Sequence, residues 1–136
     1  MTPLPTGFAR SDRTSPLLDL LGPFATADRE GAIVIGLMGR RNGTRTRAEL
    51  CMVAVLSALA DIAMGRNAAI ARTPRSLLVT VTLTIDFIAP GRVDHWLEAT
   101  ATVQRTGRRL AFAQGRIHAD GTLIAQTSGT FAVVAQ

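Results

Sequence analysis

Along "LLVTVTLTIDFIAP", Leu77 to Pro90, apolar and polar positions alternate with a period of two. Val79, Val81, Leu83, Ile85 and Phe87 fall on one face, and Thr80, Thr82, Thr84 and Asp86 on the other. This predicts a long strand covered on one side. "DHWLEATATVQR" and "LAFAQGRIHA" alternate in the same way around "TGRR", and Asp120-Gly121 predicts a tight hairpin into a last strand, "TLIAQTSGTFAVV". The later half therefore reads as an antiparallel meander. Upstream, "SPLLDLLGPF" predicts a short helix stopped by Gly22-Pro23, and "FATADREGAIVIGLMG" predicts two strands joined at Arg29-Glu30-Gly31. A polar loop, "RRNGTRTRA", follows, with Asn42-Gly43 as its turn. About the first 15 residues carry no such pattern and are expected to be loosely ordered.

Between the two β-rich halves the pattern stops alternating. "ELCMVAVLSALADIAMG", Glu49 to Gly65, is dominated by Leu, Ala and Met without a Pro, which predicts a helix from about Ala48 to about Ala71. A helix apolar on nearly every face needs cover on all sides, and a curved sheet wrapped around it supplies that cover. The expected fold class is α+β, with residues 1–136 in one domain around a central helix.

Charge narrows the partners. All 15 basic residues are Arg, giving a net charge of +5, but they are scattered, Tyr is absent and Trp96 stands alone. A nucleic-acid surface needs a basic stripe with stacking aromatics, so nucleic acid is not an expected partner. The apolar run from Leu50 to Ala60 is shorter than the roughly 20 residues that cross a bilayer, and the N-terminus has no signal-peptide core. A cytoplasmic protein without membrane contact is the expectation. The single Cys51 lies in the apolar run, where an inert thiol is usual, and no metal-ligand spacing is present. His95, at a strand start, and His118, beside the Asp120-Gly121 turn, are expected to be exposed.

The candidate chemistry lies in the helix. Ser57 and Asp61 are four residues apart and share a face, the only polar side chains between Leu50 and Met64. A buried, unpaired carboxylate costs several kcal/mol, so Asp61 must be hydrogen-bonded or open onto a pocket or partner. These residues alone fit two roles for Asp61: holding a loop or a subunit contact, or acting as a general base or nucleophile.

The segments "LSALADIAMG", "VTVTLTIDFIAPG", "LEATATVQRTGRRLAFAQGRI" and "DGTLIAQTSGTF", in that order and spacing, resemble the hotdog-fold acyl-CoA thioesterases of the phenylacetate-pathway type. The resemblance covers about Phe24 to Val134. It implies a hotdog fold, a homodimer or dimer of dimers with its site at the interface, and coenzyme A entering as part of the substrate with no other cofactor. It also implies that Asp61 is the general base or nucleophile, that Thr80 faces the reacting water or substrate, and that Arg108 and Arg109 lie near the CoA phosphates. The family's His-Gly-Gly at the helix start is Met52-Val53-Ala54 here, so only the Val53 backbone amide remains to polarise the thioester oxygen. Thr46 falls where relatives place Asn or Gln; Met52, Glu49 and Ser57 complete the expected substrate-facing set. The alternative is a hotdog protein that binds an acyl-CoA without turning it over. A dehydratase of the same fold is weaker, because no Asp and His pair is placed for its proton transfers.

Overall fold

The computed structural model describes residues 3–13, 15–39 and 53–135. Among these, a short strand β1 (Ala9–Arg10) is followed by helix α1 (Pro16–Leu21), strands β2 (Phe24–Arg29) and β3 (Ala32–Met38), helix α2 (Val53–Ile70), and strands β4 (Leu77–Phe87), β5 (Trp96–Thr106), β6 (Leu110–Ala119) and β7 (Thr122–Ala135). The local signals in the sequence work as written. Ser15 caps α1 by accepting from the Leu18 amide, and Gly22 closes it. Glu30-Gly31 and Asp120-Gly121 adopt the positive φ angles of tight hairpin turns, and Asp28 braces the first by accepting from the Gly31 amide at 3.0 Å.

The strands form one antiparallel seven-stranded sheet in the order β1-β2-β3-β5-β6-β7-β4. This is the hotdog arrangement, a sheet curved around α2, and it corrects two sequence expectations. β4 does not continue a meander into β5. It pairs with β7 at the far edge, while β5 pairs with β3. The physical reason is α2, whose 18 residues reach about 27 Å and carry the chain from β3 to the opposite edge of the sheet. Part of the N-terminal segment expected to be loose is paired instead, Ala9 with Thr26 and Arg10 with Ala25.

Phe8, next to β1, meets the Trp96 ring edge-on at 5.1 Å, with the Arg29 guanidinium over its face. Arg29 also grips Glu98 with two hydrogen bonds, and Trp96 donates its indole N–H to the same carboxylate. Beneath this cluster Gly36 has no room for a side chain, since a Cβ there would lie 2.3 Å from Trp96 and 2.9 Å from Phe8. Gly36→Val is therefore expected to lose about 2 kcal/mol or more through overpacking. Urea unfolding checks this as a lower midpoint with an unchanged slope.

The core lies between α2 and the concave face, where Val55, Leu56, Leu59, Ala60, Ala63, Met64 and Ala68 meet Ile35, Leu37, Leu97, Ile117, Ile124 and Phe131. Burial of α2 is one-sided. The sheet covers this half, but Asp61, Ile62, Gly65 and Arg66 remain half-buried. The expectation of cover on every side is corrected: the β1–β2 end and the β4 end of the sheet do not meet, and a cavity lies between them. Length and composition alone would let α2 span a membrane, but half of it is buried inside the protein as the core helix of the fold.

Candidate active site

Two elements set the site. On α2, residues one turn apart stack along the uncovered side, so Asp61, Gly65 and Ala69 form a line flanked by Ile62 and Arg66. Asn67 fixes the rotation of the helix. Its buried amide accepts from the Ile33 N–H at 2.9 Å and donates to the carbonyls of Ile33 and Ala63 at 2.8 Å each, tying α2 to the start of β3.

On β4 the strict alternation predicted for Val79 to Phe87 breaks. The register with β7 runs Val79 to Ala132 and Thr80 to Phe131, then skips Val81 and resumes at Thr82 with Thr130. This β-bulge reverses which parity faces inward. Leu78 and Thr80 face the helix before it, Leu83 and Ile85 pack on the core after it, and Val79 and Val81 turn out to solvent. The expectation that Val79 and Val81 share the covered face with Leu83 and Ile85 is thereby overturned. The same bulge brings Thr80 to Asp61, and its hydroxyl donates to Asp61 Oδ1 at 2.5 Å.

That pair stands in the wall of a cavity of about 470 Å³. Its lining is mostly apolar, from Leu18 of α1, Phe24 of β2, Ile35 of β3, Ile62 of α2, Leu78 of β4 and Phe131 of β7. Gly65 leaves the floor open beside Asp61, the position of its absent Cβ lying 3.4 Å from the Phe131 ring. Ser11, Arg13, Arg66, Arg75 and Ser76 supply the remaining polar groups. Such a space takes an apolar chain or ring and presents one end of it to a hydrogen-bonded carboxylate.

The other described sequence candidates are not brought to this pair within one chain. Ser57 is half-buried and spends its hydroxyl proton on the Val53 carbonyl at 2.8 Å, outside the cavity lining. Val53 begins the described part of α2, eight residues and therefore about 12 Å along the axis from Asp61. Arg108 and Arg109 are exposed in the β5–β6 turn. Arg72, which sequence reasoning passed over, braces that turn by donating to the Gly107 and Arg108 carbonyls and to Ser76 Oγ. Thr46, Glu49 and Met52 lie outside the described residues, as do Cys51 and the rest of the polar loop. His95 and His118 are half-buried rather than exposed, and His95 Nε2 lies 3.9 Å from Asp120. No cluster among the described residues could hold a metal ion.

Sequence reasoning also missed Gly65, Arg66 and Asn67. Arg66 and Asn67 were visible as polar positions five and six residues beyond Asp61 in the same helix, and that spacing was the available signal.

Comparison with known proteins agrees with this fold. The model of the thioesterase superfamily matches residues 50–125. The Pseudomonas aeruginosa protein named "Putative esterase PA0474" is 39% identical over 137 residues, spanning 96% of this chain and 98% of its own. Among solved structures, the CoA-bound BH2602 protein of Bacillus halodurans superposes with a TM-score of 0.81 at 22% identity, covering 93% of this chain and 83% of that one. The E. coli PaaI protein, from the phenylacetic acid degradation operon, gives 0.77 at 22% identity, covering 89% and 86%. At these identities the structural likeness is one of fold.

Proposed function

Because the chain belongs to the thioesterase superfamily, we propose that it hydrolyses an acyl-CoA thioester, with Asp61 as general base. The observation that carries this reading is the Thr80–Asp61 hydrogen bond in the wall of an apolar cavity. Thr80 occupies Oδ1 and leaves Oδ2 free to take a proton from water. Its own oxygen, with the proton committed to Asp61, can accept the second water hydrogen and aim the lone pair at the thioester carbon. The water oxygen bonds to that carbon and the C–S bond breaks. The proton held by Asp61 passes to the departing thiolate. The acyl group fills the cavity, and the CoA moiety runs outside it, with Arg108 and Arg109 as contacts for its phosphates. CoA arrives as part of the substrate, and no other cofactor enters this scheme. A CoA thioester substrate is consistent with a cytoplasmic location.

Polarising the thioester oxygen needs an N–H donor, and the Val53 amide of the same chain is about 12 Å from Asp61 along the helix. A second copy supplies it in this reading. Among the described residues β4 pairs only with β7 and so leaves one edge open, with Leu77, Val79 and Val81 exposed on this edge strand, which favours a homodimer or dimer of dimers joined at that edge. Thr46, Glu49 and Met52 precede Val53 and would face the substrate at the same junction.

One observation favours the alternative of binding without turnover. Val53 stands where the family carries Gly, and its branched side chain, 58% exposed at the start of the described helix, adds bulk beside the amide that would polarise the thioester. Thiol release from short, medium and aromatic acyl-CoAs, with an oxygen ester run beside them, separates the readings. Release supports hydrolysis. Saturable binding without release supports the alternative, and neither binding nor release removes both.

A further inference from the structure

Arg66 has no task in that scheme. It lines the same cavity as Asp61, five residues and so about 7.5 Å further along the α2 axis. Its side chain is only 15% exposed, and its Nε is buried without a hydrogen-bond partner. The carboxylate at its side, Asp12, is 4.0 Å away and 91% exposed, a loose pairing at the rim. Arg13 and Arg75 line the cavity too, so three arginines border it, and among the described residues its one carboxylate, Asp61, is already bonded to Thr80. A hydrocarbon acyl group would make no polar contact with Arg66, whose charge is largely withdrawn from water and has no close counter-ion among the described residues. A carboxylate at the far end of the acyl group would meet the open Nη edge of the guanidinium with a charge-assisted hydrogen bond.

We propose that the cavity selects acyl-CoA thioesters whose acyl group ends in a carboxylate, and that Arg66 receives that carboxylate while the thioester lies at Asp61. The spacing along the helix suits an acyl group of about five or six carbons. This inference rests on the acyl-CoA reading of the cavity. It adds the charge at the far end of the substrate.

Adipoyl-CoA and hexanoyl-CoA share a carbon count and differ at that end. With the wild type, kcat/KM for adipoyl-CoA is expected to be at least tenfold the higher, with the difference carried by KM. Arg66→Met, which keeps most of the side-chain volume, is expected to lower the adipoyl to hexanoyl ratio about 30-fold or more, and Arg66→Lys to restore part of it. A wild-type ratio at or below one, or an equal fall for both substrates in Arg66→Met, overturns the proposal. An equal fall would place Arg66 on the CoA portion instead. Should Arg66→Met fail to fold, competition by free adipate and hexanoate against wild-type protein gives the same answer, with adipate expected to bind at least tenfold tighter. That binding comparison also separates the two readings. Tighter adipate binding without turnover of any thioester leaves the anion site standing and removes hydrolysis, whereas equal or absent binding of both acids removes the anion site.

Discussion

Asp61→Asn is expected to lower kcat for thiol release by about 10²–10⁴-fold, the usual worth of a positioned general base, with KM changed little. The substitution keeps size and shape. The Asn oxygen can still accept from Thr80, so the wall of the cavity and the fit of the acyl group survive, while the capacity to take a proton from water is lost. Steady-state kinetics on wild type and variant, with ligand affinity measured separately on the variant, checks both halves of the expectation. A variant with full turnover would show that Asp61 only braces Thr80.

The second large effect concerns the scaffold. Asn67→Leu is expected to destabilise the protein by about 3 kcal/mol or more, because it removes three hydrogen bonds and leaves the Ile33 N–H and C=O against an apolar side chain, each such orphan costing about 1–3 kcal/mol. Asn67 is itself only 4% exposed, so the side chain that replaces it stays buried against these groups. Measured against a total stability of about 5–15 kcal/mol, this is a severe loss, visible as a much lower urea midpoint. The reach of the effect is also functional. Asn67 sets the rotation of α2 about its axis, and that rotation points Asp61 and Gly65 at the cavity and not at the sheet. Ligand affinity in Asn67→Leu is therefore expected to fall under conditions where the variant remains folded.

What was legible in the sequence was local. Turns at Glu30-Gly31 and Asp120-Gly121, the stop of α1 at Gly22 and the alternation along the first half of β5 depend on residues a few positions apart, and each forms as expected. The partner of β4 was not legible, because the choice between β5 and β7 is made by how far α2 carries the chain. The bulge at Val81 was hidden for a related reason. "LLVTVTLTIDF" alternates without interruption, and the residues that break its register are on β7, some fifty positions later. Taken at face value the alternation pointed Thr80 away from the helix, whereas the resemblance to the hotdog thioesterases placed it in the site. The bulge reconciles the two. Asp61 was found because a carboxylate in an apolar run is anomalous on sight, while Arg66 and Asn67 acquire meaning only once the uncovered side of α2 and the start of β3 are known.

A single turnover in water enriched in oxygen-18 puts the central claim to its most direct test, with the protein and the released acid both weighed by mass spectrometry. Hydrolysis by water activated at Asp61 gives one equivalent of free thiol, one heavy oxygen in the acid and a protein of unchanged mass. Label retained in Asp61, an acyl group left on the chain, or no thiol at all from a saturated protein would contradict it.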